Sequence, residues 1–266
     1  MDSAPERLEA ANESDWESLW RHVPQVPKLV RQLGGESKLD PSERLDRAAY
    51  FVAGKLEDED FHLFANAGQP LLKRQRDAWF DEILFHVPCT AIPGFYCPVS
   101  VEVLVSFEPL RELRAKISSS YSMVPPFVAK ANIGQFLMPP RKILWNLEFD
   151  SSLSQIGGLI EDVGLKWIDR LCDPISLEAN VIAGDLPFVS DSIGLELVLA
   201  TGGRNAARRV IETWLDSEDR GPILKQELQR MQKRLGPAYR TGESNTDLAV
   251  IAVAFDLISP RRAKVL

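Results

Sequence analysis

The spacing of apolar residues changes twice along this chain, and these changes constrain the fold more than any other feature. Before residue 68, apolar side chains recur every three to four positions, which predicts helices. From residue 71 to 107 they alternate or run continuously, which is typical of strands, and from Asp150 the helical spacing returns. The pattern predicts an α+β protein in which N-terminal helices and a C-terminal helical region frame a mostly antiparallel sheet of four to five strands.

The predicted elements divide the chain into three regions of one integrated domain: an N-terminal helical region at 1–68, a sheet-containing core at 69–172 and a C-terminal helical region at 173–266. Asp40 is an acidic cap residue before Pro41 at the start of one predicted helix. Gly202 and Gly203 separate two further helical patterns, which predicts an αα-hairpin. The predicted helices are 5–33, 40–57, 59–67, 109–116, 150–171, 188–200, 205–215, 221–235 and 247–258. The predicted strands are 71–76, 79–87, 99–107, 127–136 and 143–149.

Net charge and cysteine content indicate which class of partner and which cellular compartment to expect. The formal net charge is −7, which opposes attraction to phosphate backbones and anionic lipid, so nucleic acid is not expected as a partner. No apolar run approaches the roughly 20 residues of a membrane helix. The three cysteines are an odd number and the chain begins without a secretory signal pattern, so a reducing cytoplasm is predicted. The densest basic groups are Lys73/Arg74/Arg76, Arg204/Arg208/Arg209 and Arg261/Arg262/Lys264.

Motifs for cofactors and covalent catalysis do not occur in the sequence. There is no phosphate-binding P-loop, no dinucleotide fingerprint and no G-x-S-x-G nucleophile motif, so neither ATP nor NAD is expected. Cys89 and Cys97 are separated by prolines, and His22, His62 and His86 are scattered, so no standard zinc spacing exists. No cofactor and no metal is therefore predicted.

Acidic residues on the predicted strands are the weak candidates for catalysis. Glu82 and His86 lie four positions apart, so on a strand they would share a face, and Glu102 follows on the next strand. These three residues could serve a hydrolase. A metal-dependent nuclease is a further alternative, using Asp81, Glu82, Glu102 and Glu148, although no lysine follows at the usual spacing.

An aromatic loop is the candidate for partner binding. Residues 92–97 combine a proline and a glycine with Phe95 and Tyr96, and a stiffened turn can present such side chains to a protein at low entropic cost. Simple capping of the sheet edge is the alternative interpretation. Phe95 and Tyr96 are therefore the predicted partner-binding residues.

The order of parts between about residues 70 and 215 resembles the bacterial domain of unknown function numbered 4304. The residues that carry the resemblance come from strands, a helix and the glycine pair: Leu72-Lys73-Arg74-Gln75-Arg76, Trp79-Phe80, the strand 101–107, Asn132-Ile133-Gly134, Trp145, Leu165-Lys166-Trp167-Ile168 and Gly202-Gly203. The resemblance implies a fold but no active site. Groups of this kind often occur among bacterial toxin–immunity and defence proteins, which implies a protein-binding role.

Three functional hypotheses follow from the sequence. The first is a non-catalytic cytoplasmic binding protein, immunity-like or defence-like, whose acidic surface suits a basic protein partner. The second is an enzyme, a hydrolase that uses Glu82, His86 and Glu102 with or without a metal ion. The third is a purely structural oligomer, for which a large apolar interface would be the evidence.

Overall fold

The computed structural model describes residues 40–66, 69–88, 91, 96–118, 121, 123–137, 139–233 and 244–258. The predicted helix at 5–33, the basic residues after 260, Cys89 and Phe95 lie outside the described residues. The described part confirms the predicted α+β class, with helices on either side of the sheet in the sequence.

Among the described residues the sheet has six strands, of which five follow the order β1-β2-β3-β4-β5 and the sixth, β6, pairs with β4. Strands β1 and β2 pair antiparallel, and so do β4 and β6, as predicted. The predicted strand at 127–136 ends early because the Asn132 side chain caps a 3₁₀ turn, Ile133–Phe136. The strand bounds are β1 His62–Asn66, β2 Gln69–Arg76, β3 Trp79–His86, β4 Pro98–Phe107, β5 Phe127–Asn132 and β6 Trp145–Asn146.

The predicted third helix at 59–67 is wrong, because His62–Asn66 within it form the strand β1. A 3₁₀ turn over Glu57–Glu59 ends at Asp60, which adopts the left-handed conformation with φ 58°. The chain then pairs with β2, and Phe64 lies opposite Leu71. The three-residue spacing of Phe61 and Phe64 fits a helix equally well, but the pairing with β2 satisfies the backbone and decides the outcome.

Among the described residues, seven α-helices and one π-helical turn follow the helix that begins after Asp40. Asp40 forms a capping box with Glu43, as an acidic cap before a proline predicts. The long predicted helix from residue 150 contains a π-helical turn, Ile160–Gly164, near its glycines. The helix bounds are α1 Pro41–Lys55, α2 Pro109–Ile117, α3 Asp150–Leu159, α4 Leu165–Cys172, α5 Leu177–Ala183, α6 Asp191–Asp216, α7 Gly221–Lys233 and α8 Ser244–Ala254.

The chain divides into two compact units. The first unit takes its described residues from 1–75, 81–104 and 130–166. Its core includes Val52 on α1, Ile83 on β3 and Val101 on β4, all fully buried. Helices α1 and α3 pack against each other in this unit.

The second unit takes its described residues from 76–80, 105–129 and 167–266, and it is mainly helical. Helix α6 is its longest helix among the described residues, and it contacts α2, α5, α7 and α8. Gly203 interrupts α6 with φ 74° and ψ −176°, at the glycine pair where the sequence predicts a connection between two helices. Helix α5 was not predicted. No helix of the described residues is long and apolar enough to cross a membrane.

Candidate functional site

One face of the sheet in the first unit carries charged side chains in opposite pairs. Along β3 the burial alternates, with Ile83 and Phe85 buried and with Glu82 and His86 half-buried on the other face. Lys73 Nζ on β2 lies 3.1 Å from Glu82 Oε1. We call this face the polar face.

A second charge pair on the polar face joins β4 to β5. Lys130 Nζ lies 2.5 Å from Glu102 Oε2, and the Glu102 side chain is 20% exposed. Each of these glutamates is therefore neutralised by a lysine from the neighbouring strand, an arrangement that stabilises a sheet by cross-strand attraction.

A pocket of about 150 Å³ opens in the first unit, where the polar face meets the segment after the 3₁₀ turn. His86 from β3 and Glu102 from β4 both line it, so two of the three predicted catalytic candidates lie together. Glu82 does not line the pocket and instead pairs with Lys73. The lining residues are His86, Pro88, Ser100, Glu102, Asn132, Lys142 and Leu144.

A buried hydrogen-bond network around Asn132 holds one wall of the pocket. Asn132 Nδ2 donates to Ser100 Oγ at 3.0 Å, and Asn132 Oδ1 accepts from the amides of Gly134 at 3.0 Å and Ile143 at 3.3 Å. Asn132 and Ser100 are 5% and 6% exposed. One side chain thus ties β5 to β4 and to the segment that carries Lys142.

Gly134 allows this segment to approach closely. A Cβ atom at this position would lie 2.6 Å from the carbonyl oxygen of Arg141 and 2.6 Å from Ile143 Cγ1. The first of these atoms is backbone and cannot rotate away. Glycine is therefore required for the loop to place Lys142 and Leu144 at the pocket.

Most of the pocket's polar groups that have no hydrogen-bond partner are donors. Within the described part of the chain, the side chains of His86 and Lys142 have no hydrogen bond or ion pair to protein groups. Ser100 Oγ accepts from Asn132, so its own O–H is still available. The carboxylate of Glu102, by contrast, is engaged by Lys130.

The four carboxylates of the predicted nuclease do not form one cluster. Asp81 is fully buried on the opposite face of β3 from Glu82, and its Oδ2 accepts from Arg74 Nε at 2.9 Å. Glu148 pairs with Arg44 at 2.5 Å. No group of three or more histidines, cysteines and carboxylates suited to a metal ion occurs among the described residues.

Comparison with known proteins does not place the chain in a family. No protein-family model, no curated protein and no solved structure matches it. The resemblance to the domain numbered 4304 therefore stays a prediction. Function has to be inferred from the residues themselves.

Exposed aromatic side chains form a second candidate surface in the first unit. Tyr50 on α1 is 67% exposed, and Phe149, directly before α3, is 59% exposed. Arg47, one turn before Tyr50, donates from Nη2 to Asp150 Oδ1 at 3.1 Å, and Asp150 is the residue after Phe149. Phe51, the next residue along α1, is 37% exposed. We call Tyr50, Phe51 and Phe149 the aromatic patch.

The 3₁₀ turn that follows α1 is strongly acidic. Glu57, Asp58, Glu59 and Asp60 are consecutive and exposed. Glu59 binds Arg74 at 3.0 Å, whereas the other three have no ion pair among the described residues. We call these four residues the acidic turn. It follows the helix of Tyr50 and Phe51, so negative charge and apolar surface occur close together in the sequence.

The predicted aromatic loop is described only at its end. Phe95 lies outside the described residues, and Tyr96 is half-buried rather than fully exposed. Cys97 next to it is fully buried, and its amide donates to Asn146 Oδ1 at 2.8 Å. Partner binding through Phe95 and Tyr96 stays a prediction.

The basic clusters of the sequence are largely engaged in ion pairs. Lys73 binds Glu82, Arg74 binds Asp81 and Arg76 binds Asp169. Two members of the second cluster are paired in the same way: Arg204 with Asp256 and Arg209 with Glu178. The positive charge of these groups is thus balanced within the protein.

Proposed function

We propose that this protein is a non-catalytic binding protein, immunity-like or defence-like, that acts on a basic protein partner through the aromatic patch. The observation that supports this most is the exposure of Tyr50 and Phe149, at 67% and 59%, beside one ion pair. Aromatic anchors of this kind dominate the energy of protein interfaces. The resemblance to the domain numbered 4304 points to the same class of protein.

The negative charge of the protein indicates that its partner is positively charged. The acidic turn follows the patch-bearing helix α1, and the chain as a whole has a net charge of −7. Such a surface attracts a basic partner over a distance of about 10 Å at 0.1 M salt and raises the association rate. Phe95 and Tyr96, the residues predicted from the sequence, are proposed as further partner-binding residues.

The proposed site of action is the cytoplasm. Cys97 is a buried thiol outside any disulfide, which supports work in a reducing compartment.

The test is affinity capture from an extract of the native cells, with tagged wild type and a Tyr50→Ala, Phe149→Ala variant side by side. We expect one stoichiometric protein of basic composition on the wild type and at least a tenfold weaker interaction for the variant, because a hot-spot aromatic contributes about 2 kcal/mol or more. Ile175→Ala is the matched control, since Ile175 is 92% exposed in the second unit.

Charge and loop variants complete the test. Glu57→Lys with Asp58→Lys is expected to slow association with the captured partner, and added salt is expected to slow the wild type in the same way. Phe95→Ala with Tyr96→Ala tests the predicted loop. A partner that binds the Tyr50/Phe149 variant and the Ile175 variant equally well would overturn the proposed interface.

A hydrolase is the second candidate, and the observation that favours it is the shared pocket of His86 and Glu102. In this role His86 would accept a proton from a water molecule that attacks the substrate. Ser100 would donate a hydrogen bond to the substrate. Glu82 has no part in this version because it lies outside the pocket. Screening small esters, amides and phosphoesters with wild type and His86→Ala tests it, and activity that persists in the variant would remove this candidate.

A further inference from the structure

We propose that the pocket between β3, β4, β5 and the 139–144 segment binds a small oxyanion, a carboxylate or a phosphate group. This inference does not depend on the proposed interface, which uses other residues of the first unit. It rests on the donors in the pocket, on its charge and on its size.

The donors are of the kind that bind anions. Lys142 and His86 have no partner among the described residues, and the Ser100 hydroxyl still has a proton to donate. All three line the same pocket. An ammonium group, an imidazole and a hydroxyl together provide charge-assisted hydrogen bonds to the oxygens of one ligand.

The single carboxylate of the pocket does not cancel this preference. Glu102 Oε2 lies 2.5 Å from Lys130 Nζ, so its charge is already balanced. The positive charge of Lys142 is then left in excess at the pocket, although the chain as a whole is acidic. A cationic ligand would have to compete with Lys130 for Glu102, whereas an anion would meet free donors.

The wall that presents Ser100 is rigid, which favours binding over simple surface attraction. Asn132 fixes Ser100 and the amide of Ile143 through hydrogen bonds of 3.0 and 3.3 Å. Little ordering is therefore needed when a ligand arrives. The volume of about 150 Å³ is below the range of drug-sized sites, roughly 300–1,000 Å³, and suits a small ligand or a terminal group.

Titration with inorganic phosphate and with acetate, followed by amide chemical shifts at constant ionic strength, tests the proposal. We expect saturable shifts that include the amides of Ser100 and Ile143 with at least one of the two anions. Saturation by phosphate alone assigns the site to phosphate groups, and saturation by acetate alone assigns it to carboxylates. Chloride at the same ionic strength is the reference.

Three variants separate a site from general electrostatic attraction. Lys142→Gln is expected to weaken binding by about tenfold or more, the usual effect of losing a charged hydrogen bond. Lys166→Gln, which removes an exposed lysine of the same unit, is expected to change the dissociation constant less than about twofold. Glu102→Gln is expected to tighten binding, because it releases Lys130 and removes a negative charge.

The results that would overturn the proposal are equally definite. Shifts that do not saturate with either anion would show that no site exists. An equal loss in Lys142→Gln and Lys166→Gln would show that the anion responds only to net charge. Neither result bears on the partner capture, because none of its variants changes a residue that lines this pocket.

Discussion

Arg114 on α2 and Glu196 on α6 form an ion pair that is closed to solvent, with the two side chains 0% and 1% exposed and Nη2 2.6 Å from Oε2. Arg114 Nε contacts both carboxylate oxygens, and Nη1 donates to the carbonyl of Pro125 at 2.6 Å. The charges are thus compensated in a place where an unpaired charge would be very costly.

Arg114→Met is expected to lower the free energy of unfolding by about 3–5 kcal/mol, because Glu196 would keep a buried and unpaired charge. Arg114→Met with Glu196→Leu should regain most of this loss. Urea unfolding of the second-unit helices measures both. Arg111→Ala is the control on the same helix, since the Arg111–Glu108 pair is about half exposed and is expected to contribute less than about 1 kcal/mol. Equal effects at Arg111 and Arg114 would contradict the interpretation.

Cys97 is expected to make stability fall as the pH rises above 9. Burial, followed by the nearby charge of Glu148, raises the pKa of the Cys97 thiol from 9.0 to about 11. Between pH 9 and 11 the Cys97 thiol therefore stays protonated in the folded protein but loses its proton in the unfolded chain. The free energy of unfolding declines over this range by up to about 3 kcal/mol.

Cys97→Ala is the control for this pH dependence. Lysines and tyrosines titrate in the same range in both proteins, so the difference between wild type and Cys97→Ala isolates the thiol. Denaturant unfolding at pH 8, 9, 10 and 11 gives the two curves. Parallel curves would mean that the thiol titrates alike in the folded and unfolded chain.

Gly134→Ala is expected to destabilise the first unit by about 1–3 kcal/mol, because its Cβ would lie 2.6 Å from a backbone oxygen. Gly158→Ala is the matched control, since a Cβ there meets no atom within 4 Å and alanine favours a helix by about 0.8–1.0 kcal/mol. Thermal unfolding should move the two midpoints in opposite directions. An unchanged midpoint for Gly134→Ala would show that the 139–144 segment shifts to accommodate the added methyl group.

Asp40→Ala is expected to cost about 1 kcal/mol, because Asp40 Oδ1 accepts the amide proton of Ser42 at 2.9 Å and completes the capping box of α1. Asp46→Ala removes the same charge from an exposed position within α1. It should leave stability unchanged or raise it slightly, since alanine is the better helix former. Equal losses in the two variants, measured by urea unfolding, would argue against the cap.

The parts of the fold that were predictable are those with a strong local signal. The alternation along β3 and the cap at Asp40 are readable from neighbouring residues alone. Strand β1 was missed because its apolar spacing fits a helix, and only the pairing with β2 excludes that choice. Helix α5 was missed because its seven residues are too few to show a clear period.

The candidate site was predictable only where it is local. His86 and Glu102 were candidates from their positions on predicted strands, and the fold brings both to one pocket. Ser100, Asn132 and Lys142 were missed because they are ordinary residues whose grouping depends on long-range contacts. Asn132 reaches Ser100 across 32 positions of sequence, and no local pattern encodes such a contact.

The acidic turn also has a consequence for how copies of this chain meet each other. It directly precedes β1, which lies at one end of the sheet order and has one neighbouring strand there among the described residues. A strand at such a border is a template on which a second chain could extend the sheet. Two copies whose β1 strands paired in parallel would place their runs of carboxylates side by side. Mutual repulsion therefore disfavours parallel extension of the sheet at this border.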